Sequence, residues 1–312
     1  MMKPDISVTL CGIKMANPVV SASGTCGYGR ELSQFYDLGV LGAFTVKSLT
    51  LEKRLGNPTP RIAECVSGIL NSIGIQSQGV RHFLEHDFPF LKQYAVPVIV
   101  SISGTKVEDY PKLATILDQE DGISAIEVNI SCPNLEAGGC SFGSDPEIAG
   151  RVIQLVKSST KLPVIAKLTP NVSDITAIAR SVEKNGADAI SMINTLSGMA
   201  IDIYTQKPKL GNVFGGLSGP AIKPVAIKMV WEVYRAVRIP IIGMGGVMTW
   251  EDAIEFILAG ATAVGVGTVL FRDPWVVFEI VDGIRAYLET REIPGLDDIR
   301  GKVKLPAKRN AR

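Results

Sequence analysis

The chain has few aromatic residues, few histidines and no excess of charge of either sign. Phe, Trp and Tyr make up 6% of its 312 residues, so the core must be mainly aliphatic. There are 32 Lys and Arg against 31 Asp and Glu, a net charge of +1. That balance leaves no overall field to collect nucleic acid or anionic membrane. No apolar run approaches the ~20 residues that span a bilayer. Residues 1–15 alternate polar and apolar side chains instead of forming a signal-peptide core, so a cytoplasmic location is expected. The five cysteines, Cys11, Cys26, Cys65, Cys132 and Cys140, are widely spaced and nowhere form C-x-x-C. The chain therefore shows neither an iron–sulfur nor a zinc motif, and no metal site is expected. Most of these thiols should be small buried hydrophobes.

Glycine, by contrast, is abundant. The 31 glycines are about a tenth of the chain, against a usual ~7%. A hydrophobic fraction of 46% excludes disorder as a description of the whole. Short, nearly continuous apolar runs fall at Val19–Ser21, Ala43–Val46, Val96–Ser101, Ala125–Asn129, Val164–Lys167, Ala189–Ile193, Ile241–Gly243 and Ala263–Val266. Such runs suit parallel strands covered on both faces. Helical spacing occupies Val107–Gln119, Pro146–Ser159, Ile175–Asn185, Ala221–Val237 and Thr249–Leu258. Ser144 and Asp174 stand at or near N-caps, and Asn185-Gly186 and Gly260 where C-caps are expected.

Eight such units predict an α/β fold, a single (β/α)8 TIM barrel over residues 1–312. An N-terminal β-hairpin, Ser7–Leu10 and Ile13–Met15, should close its floor, and residues 301–312 read as a basic, flexible tail. An open doubly wound sheet is the alternative, but its G-x-G-x-x-G fingerprint is missing after the first strand. Insertions follow strands two, four and six. Ser48–Ala95 and Thr195–Gly219 are too long for plain connections, which points to binding loops or lids.

Ligands of such barrels bind at the strands' C-terminal ends. Those ends read Ser23, Lys47, Ser101, Asn129, Lys167, Asn194, Gly245-Gly246 and Gly267-Thr268. Glycines after strands seven and eight let backbone amides approach a phosphate. The bland alternative is that they only relieve crowding. Lys47 and Lys167, so near a barrel interior, need an anion to face. Cys132 follows a strand end and precedes proline, where a thiol can act as a general base. Neither histidine, His82 or His86, is placed to activate it as a nucleophile.

Asn129-Ile130-Ser131-Cys132-Pro133-Asn134, Asn71-Ser72-Ile73-Gly74-Ile75, Gly216-Leu217-Ser218-Gly219-Pro220-Ala221 and Ile241-Ile242-Gly243-Met244-Gly245-Gly246-Val247 resemble the dihydroorotate dehydrogenases. The resemblance runs in order from about Ser7 to Tyr287. The cysteine loop is similar to class 1 enzymes, and Gly138-Gly139-Cys140-Ser141-Phe142-Gly143 to the NAD-linked 1B subclass. The resemblance implies oxidation of dihydroorotate to orotate in pyrimidine biosynthesis. Cys132 would remove the C5 proton while hydride passes from C6 to FMN. It further implies FMN contacts at Ser23, Lys47, Ser48, Ser101, Asn129, Lys167, Ile193, Gly219, Gly245, Gly246, Gly267 and Thr268. Ser101 departs from the asparagine that the family often has there. Substrate would meet Lys47, Asn71, Ser72, Ile73, Gly74, Ile75, Asn129, Asn194 and Thr195. Electrons would leave through a separate subunit carrying FAD and a [2Fe–2S] cluster, bound to a homodimer of this chain in a heterotetramer. Dihydropyrimidine dehydrogenases, which share a similar flavin barrel, and non-redox phosphate-binding lyases are the competing readings.

Overall fold

The structure, a computed structural model, describes residues 4–131 and 142–306. The eight barrel strands are β1 (Val19–Ser21), β2 (Phe44–Thr45), β3 (Val98–Ile102), β4 (Ile123–Asn129), β5 (Val164–Lys167), β6 (Ala189–Met192), β7 (Ile241–Met244) and β8 (Ala263–Val266). All pair in parallel, in the order β1-β8-β7-β6-β5-β4-β3-β2. The parallel bridge Val20–Ala43 joins β1 to β2 and closes the ring. Almost every strand residue is buried, which is why the runs lack polar alternation.

The expected strand limits hold at β1, β5 and β8 and shift slightly elsewhere. β2 contracts to two residues, although Val46 still donates to the Ile99 carbonyl at 3.0 Å. β3 begins at Val98 because Pro97 has no N–H, while its carbonyl accepts from Phe44 at 2.8 Å. β4 extends back to Ile123. The N-terminal hairpin pairs Val8–Leu10 with Ile13–Met15, and Leu10 and Met15 enter the main core.

The five expected helices form as Asp109–Leu117, Pro146–Lys157, Ile175–Lys184, Lys223–Tyr234 and Trp250–Ala259. Asp174 caps the third, its carboxylate accepting from the Thr176 and Ala177 amides. Asp145, not Ser144, caps the second. Thr249 and Asp252 form a capping box on the last, and Gly260 ends it at φ +121. Two helical stretches were not foreseen. Val276–Thr290 carries Gly283, which lowers helical propensity. The glycine is required there because a Cβ would collide with the Trp250 ring. A helix also runs through Val80–His82, a π turn at Phe83–Asp87, and Phe88–Leu91.

The insertions after β2 and β6, expected as binding loops or lids, fold together. Ile62–Cys65 and Gly68–Asn71 from the first join Leu196–Gly198 and Gly215–Ser218 from the second in one antiparallel sheet. Gly216 stands opposite Asn71. This sheet has its own small core of Ala63, Leu70 and Leu210. A two-stranded ribbon, Ile201–Asp202 with Lys207–Pro208, extends from it. The insertion after β4 falls largely outside the described residues, as do 307–312 of the predicted tail. Among the described residues, no helix is long and apolar enough to cross a membrane.

Helix capping gives the first test. Asp174→Ala removes the acceptor of two amides and should destabilise the fold, because those helix N-terminal amides lose their protein partner. The measurement is the shift in urea midpoint, and an unchanged midpoint would contradict the capping role.

Candidate functional site

The strand ends and the insertion sheet enclose one cavity of about 660 Å³, within the range of roughly 300–1,000 Å³ usual for small-molecule sites. Its wall includes the expected Ser23, Lys47, Ser48, Asn71, Ile73, Gly74, Ile75, Asn129, Lys167, Ile193, Asn194, Thr195, Gly219, Gly245, Gly246, Gly267 and Thr268. Two expected residues stand outside the wall. Ser101 lies behind Ser48, fully buried, with 2.9 Å between the two hydroxyls. Ser72 is turned away, its hydroxyl taken by Asn57 Nδ2 at 2.8 Å. Both shape the wall from behind. Cys132 lies outside the described residues, and Ser131, the residue before it, lines the cavity.

One end of the cavity is built from backbone. Gly245 and Gly246 follow β7 with φ of +126 and +82, and Gly267-Thr268 follow β8. Among the described residues, the amides of these four donate to no protein acceptor. A Cβ on Gly246 would lie 2.8 Å from the Gly219 carbonyl oxygen, and one on Gly245 would lie 2.9 Å from the Ala226 Cβ. Unpaired amides on adjacent loops form a cradle suited to phosphate oxygens. Not every glycine of these motifs serves the cradle. Gly243 leaves room for the Phe256 ring, and Gly265 for the Met244 side chain. For these two, the crowding explanation holds.

A hydroxyl and amide network organises the middle. Ser48 Oγ lies 3.5 Å from Ser23 Oγ and accepts from Asn129 Nδ2 at 3.3 Å. Asn129 Oδ1 in turn accepts from Asn194 Nδ2 at 3.4 Å and from the Ser131 amide at 3.1 Å. These bonds tie the ends of β1, β2, β4 and β6 together and fix two carboxamides side by side. At the mouth, Asn71 Nδ2 donates to the Gly216 carbonyl at 3.3 Å. The loop after it turns through Gly74 at φ +72 and Ile75 at φ +50. No Cβ fits at Gly74 because Asn57 packs against it.

The two lysines are held differently. Lys47 is half-buried and makes no ion pair with any described residue. Burial, and then the nearby Arg61 guanidinium, pull its pKa below the ordinary lysine value. An unpaired cation of this kind suits an anionic ligand. Lys167 is 5% exposed. Its ammonium donates to Met244 Sδ at 3.0 Å and lies 3.6 Å from Glu127 Oε2. Glu127 was missed in the sequence because it sits inside an apolar strand run with no motif around it. Asn171 was also missed; it holds the loop after β6 through the Thr195 carbonyl at 3.0 Å and the Ser197 amide at 2.8 Å. Ser131 Oγ and Glu127 Oε1 are buried without a partner among the described residues. Two such orphans on a cavity wall are consistent with a polar ligand.

Cys11 and Cys26 fit an inert role, since burial pushes the Cys11 thiol up to about 12 and the Cys26 thiol to about 11. Gly246→Ala tests the cradle. The added Cβ must displace the Gly219 carbonyl, and the affinity for FMN, the cofactor that the sequence resemblance implies, should fall about tenfold by fluorescence quenching, equivalent to roughly 1.4 kcal/mol. Unchanged affinity would remove this loop from the phosphate site.

A profile of the family described as "Dihydroorotate dehydrogenase" matches residues 5–288. The chain is 56% identical over 304 residues to a protein of Desulforamulus reducens named "Dihydroorotate dehydrogenase B (NAD(+)), catalytic subunit", covering 97% of this chain and 100% of that one. Proteins of the same name from Alkaliphilus metalliredigens and Citrifermentans bemidjiense are 52% and 50% identical, covering 97% and 98% of this chain and the whole of each relative. With its closed barrel and the cavity at its strand ends, the chain belongs to the dihydroorotate dehydrogenase family.

Proposed function

We propose that this chain oxidises dihydroorotate to orotate, with FMN bound in the cavity at the strand ends. One observation carries the reading: a single cavity combines a backbone anion cradle with an unpaired lysine beside fixed carboxamides. The cradle suits a phosphorylated cofactor. Lys47 suits the orotate carboxylate, and Asn71, Asn129 and Asn194 suit the ring amides and carbonyls. A lyase binding only a phosphate would leave Lys47 without a partner, as would the uncharged pyrimidines of the dihydropyrimidine dehydrogenases.

FMN, when bound, supplies the two-electron acceptor. Gly245, Gly246, Gly267 and Thr268 would hold its phosphate, and Ser23, Ile193, Gly219 and Lys167 would line its ring. The chain's own residues do the remaining work. Lys47 and the asparagines orient dihydroorotate so that C5 and C6 present their hydrogens to different partners. Cys132, as thiolate, takes the C5 proton, and the C6 hydrogen leaves with its electron pair, forming the C5=C6 double bond. Asn129 and Asn194, already bonded to one another, bind substrate with little further loss of side-chain freedom. The insertion sheet covers the site and excludes water.

Electrons then pass to NAD through a separate subunit carrying FAD and a [2Fe–2S] cluster, docked on a homodimer of this chain. Two points support this division: the relatives are named catalytic subunits, and the sequence contains no C-x-x-C. The purified chain alone should reduce NAD negligibly with dihydroorotate; efficient NAD reduction without a partner would contradict it.

Two variants test the site. Cys132→Ser should keep FMN but slow flavin reduction in anaerobic stopped flow by about 10²–10⁴-fold, the usual worth of a general base. Unchanged reduction would remove Cys132 from the mechanism. The Lys47 prediction concerns pH. Its cation is needed for the carboxylate and its pKa is lowered. Orotate affinity should therefore decline on raising the pH, starting below the range of an ordinary lysine. Lys47→Met should bind orotate weakly and abolish that decline, as measured by titration calorimetry. A decline that survives in Lys47→Met would assign it elsewhere.

A further inference from the structure

Glu127 is a buried carboxylate that the mechanism above does not use. It projects from β4 into the barrel, is 1% exposed, and lines the cavity floor with Lys167. Its Oε2 accepts from Ser191 Oγ of β6 at 2.7 Å and faces the Lys167 ammonium at 3.6 Å. Its Oε1 is buried and has no partner among the described residues. The ammonium's hydrogen bond goes instead to Met244 Sδ, a weak acceptor. Thus β4, β5, β6 and β7 each contribute one member of a charged cluster under the site.

Stability alone does not account for this arrangement. Apolar side chains of similar volume would fill the floor at least as well as a buried ion pair with one oxygen unsatisfied. The arrangement does suit control of charge. At 3.6 Å the pair is close enough to cancel much of each other's field, but too long for a strong hydrogen bond. The ammonium is held in place and keeps donor capacity for a ligand above it. A lone cation under an electron-accepting ring would favour its reduced, more negative state; the carboxylate moderates that effect.

We propose that Glu127 is a positioning residue that fixes Lys167 on the cavity floor and, by partly cancelling its charge, lowers the reduction potential of the bound flavin. The proposal rests on the FMN reading above. It assigns a thermodynamic role to a buried carboxylate that the proposed reaction does not otherwise use. Ser191, the hydroxyl that orients the carboxylate, belongs to the same device.

The test is the midpoint potential of the FMN-loaded protein, measured anaerobically against reference dyes, for the wild type, Glu127→Gln and Ser191→Ala. Glu127→Gln keeps the shape of the side chain and removes its charge, so the potential should shift to a more positive value. Ser191→Ala keeps both charges and removes only the hydroxyl that holds the carboxylate, so a shift smaller in size than that of Glu127→Gln is expected. If Glu127→Gln does not fold or does not retain FMN, the Ser191→Ala potential decides the matter. Unchanged potentials in flavin-loaded variants that fold normally would overturn the proposal and leave Glu127 a structural residue. Failure of the wild-type protein itself to bind FMN would instead overturn the functional reading, so the two failures are distinguishable.

Discussion

A parallel sheet has no free edge only if its last strand returns to its first, and here that return is narrow. Val20 bridges to Ala43, the Ser21 amide donates to the Ala43 carbonyl at 3.3 Å, and the Gly42 amide donates to the Val19 carbonyl at 2.8 Å. Gly42 must be glycine, because a Cβ there would collide with the Asn17 carbonyl. Asn17 completes the seam, accepting from the Val19 amide at 3.0 Å and donating to the Val40 carbonyl at 2.8 Å. Closure brings eight strand ends onto one rim. Ser23 and Ser48, 3.5 Å apart between hydroxyls, meet across that seam, although 25 residues separate them in the chain.

The rim alone would be an open dish. The second constraint is the antiparallel sheet built from both long insertions, which roofs the dish and carries Asn71 opposite Gly216. Neither insertion could form this sheet alone, since each supplies only two of its four strands. Between floor and roof the two lysines serve different ends. Lys167 is buried and offset by Glu127. Lys47 is half-buried, unpaired among the described residues and depressed in pKa. A buried cation with a counter-charge is a fixed element of the floor, whereas an unpaired one is available to bind an anion.

Much of this was legible in the sequence because it depends on local pattern. Apolar runs marked the strands, and the residue ending each run marked the rim. The cradle could be read as well, since only glycine tolerates the backbone of Gly245 and Gly246. The unread features depend on contacts far apart in the chain. Glu127 looked like an interruption in an apolar run until Lys167 and Ser191 were placed beside it by β5 and β6. The pairing of Gly68–Asn71 with Gly215–Ser218 spans about half the chain and leaves no periodic signal. Ser72 was placed at the site because its neighbours belong there, and Ser101 because it ends the third apolar run, but their hydroxyls are already engaged by Asn57 and Ser48. Gly243 and Gly265 lie close to the cradle in sequence, but a Cβ on either would meet side chains, Phe256 and Met244.

The central claim is that one cavity joins a flavin to a carboxylated dihydropyrimidine. Anaerobic addition of dihydroorotate to the purified protein, followed by visible absorption, tests it most directly. The account predicts an oxidised flavin spectrum that bleaches with dihydroorotate and stays oxidised with dihydrouracil, which lacks the carboxylate that Lys47 would bind. A colourless protein that cannot be loaded with FMN, or a flavin bleached by dihydrouracil and not by dihydroorotate, would contradict it.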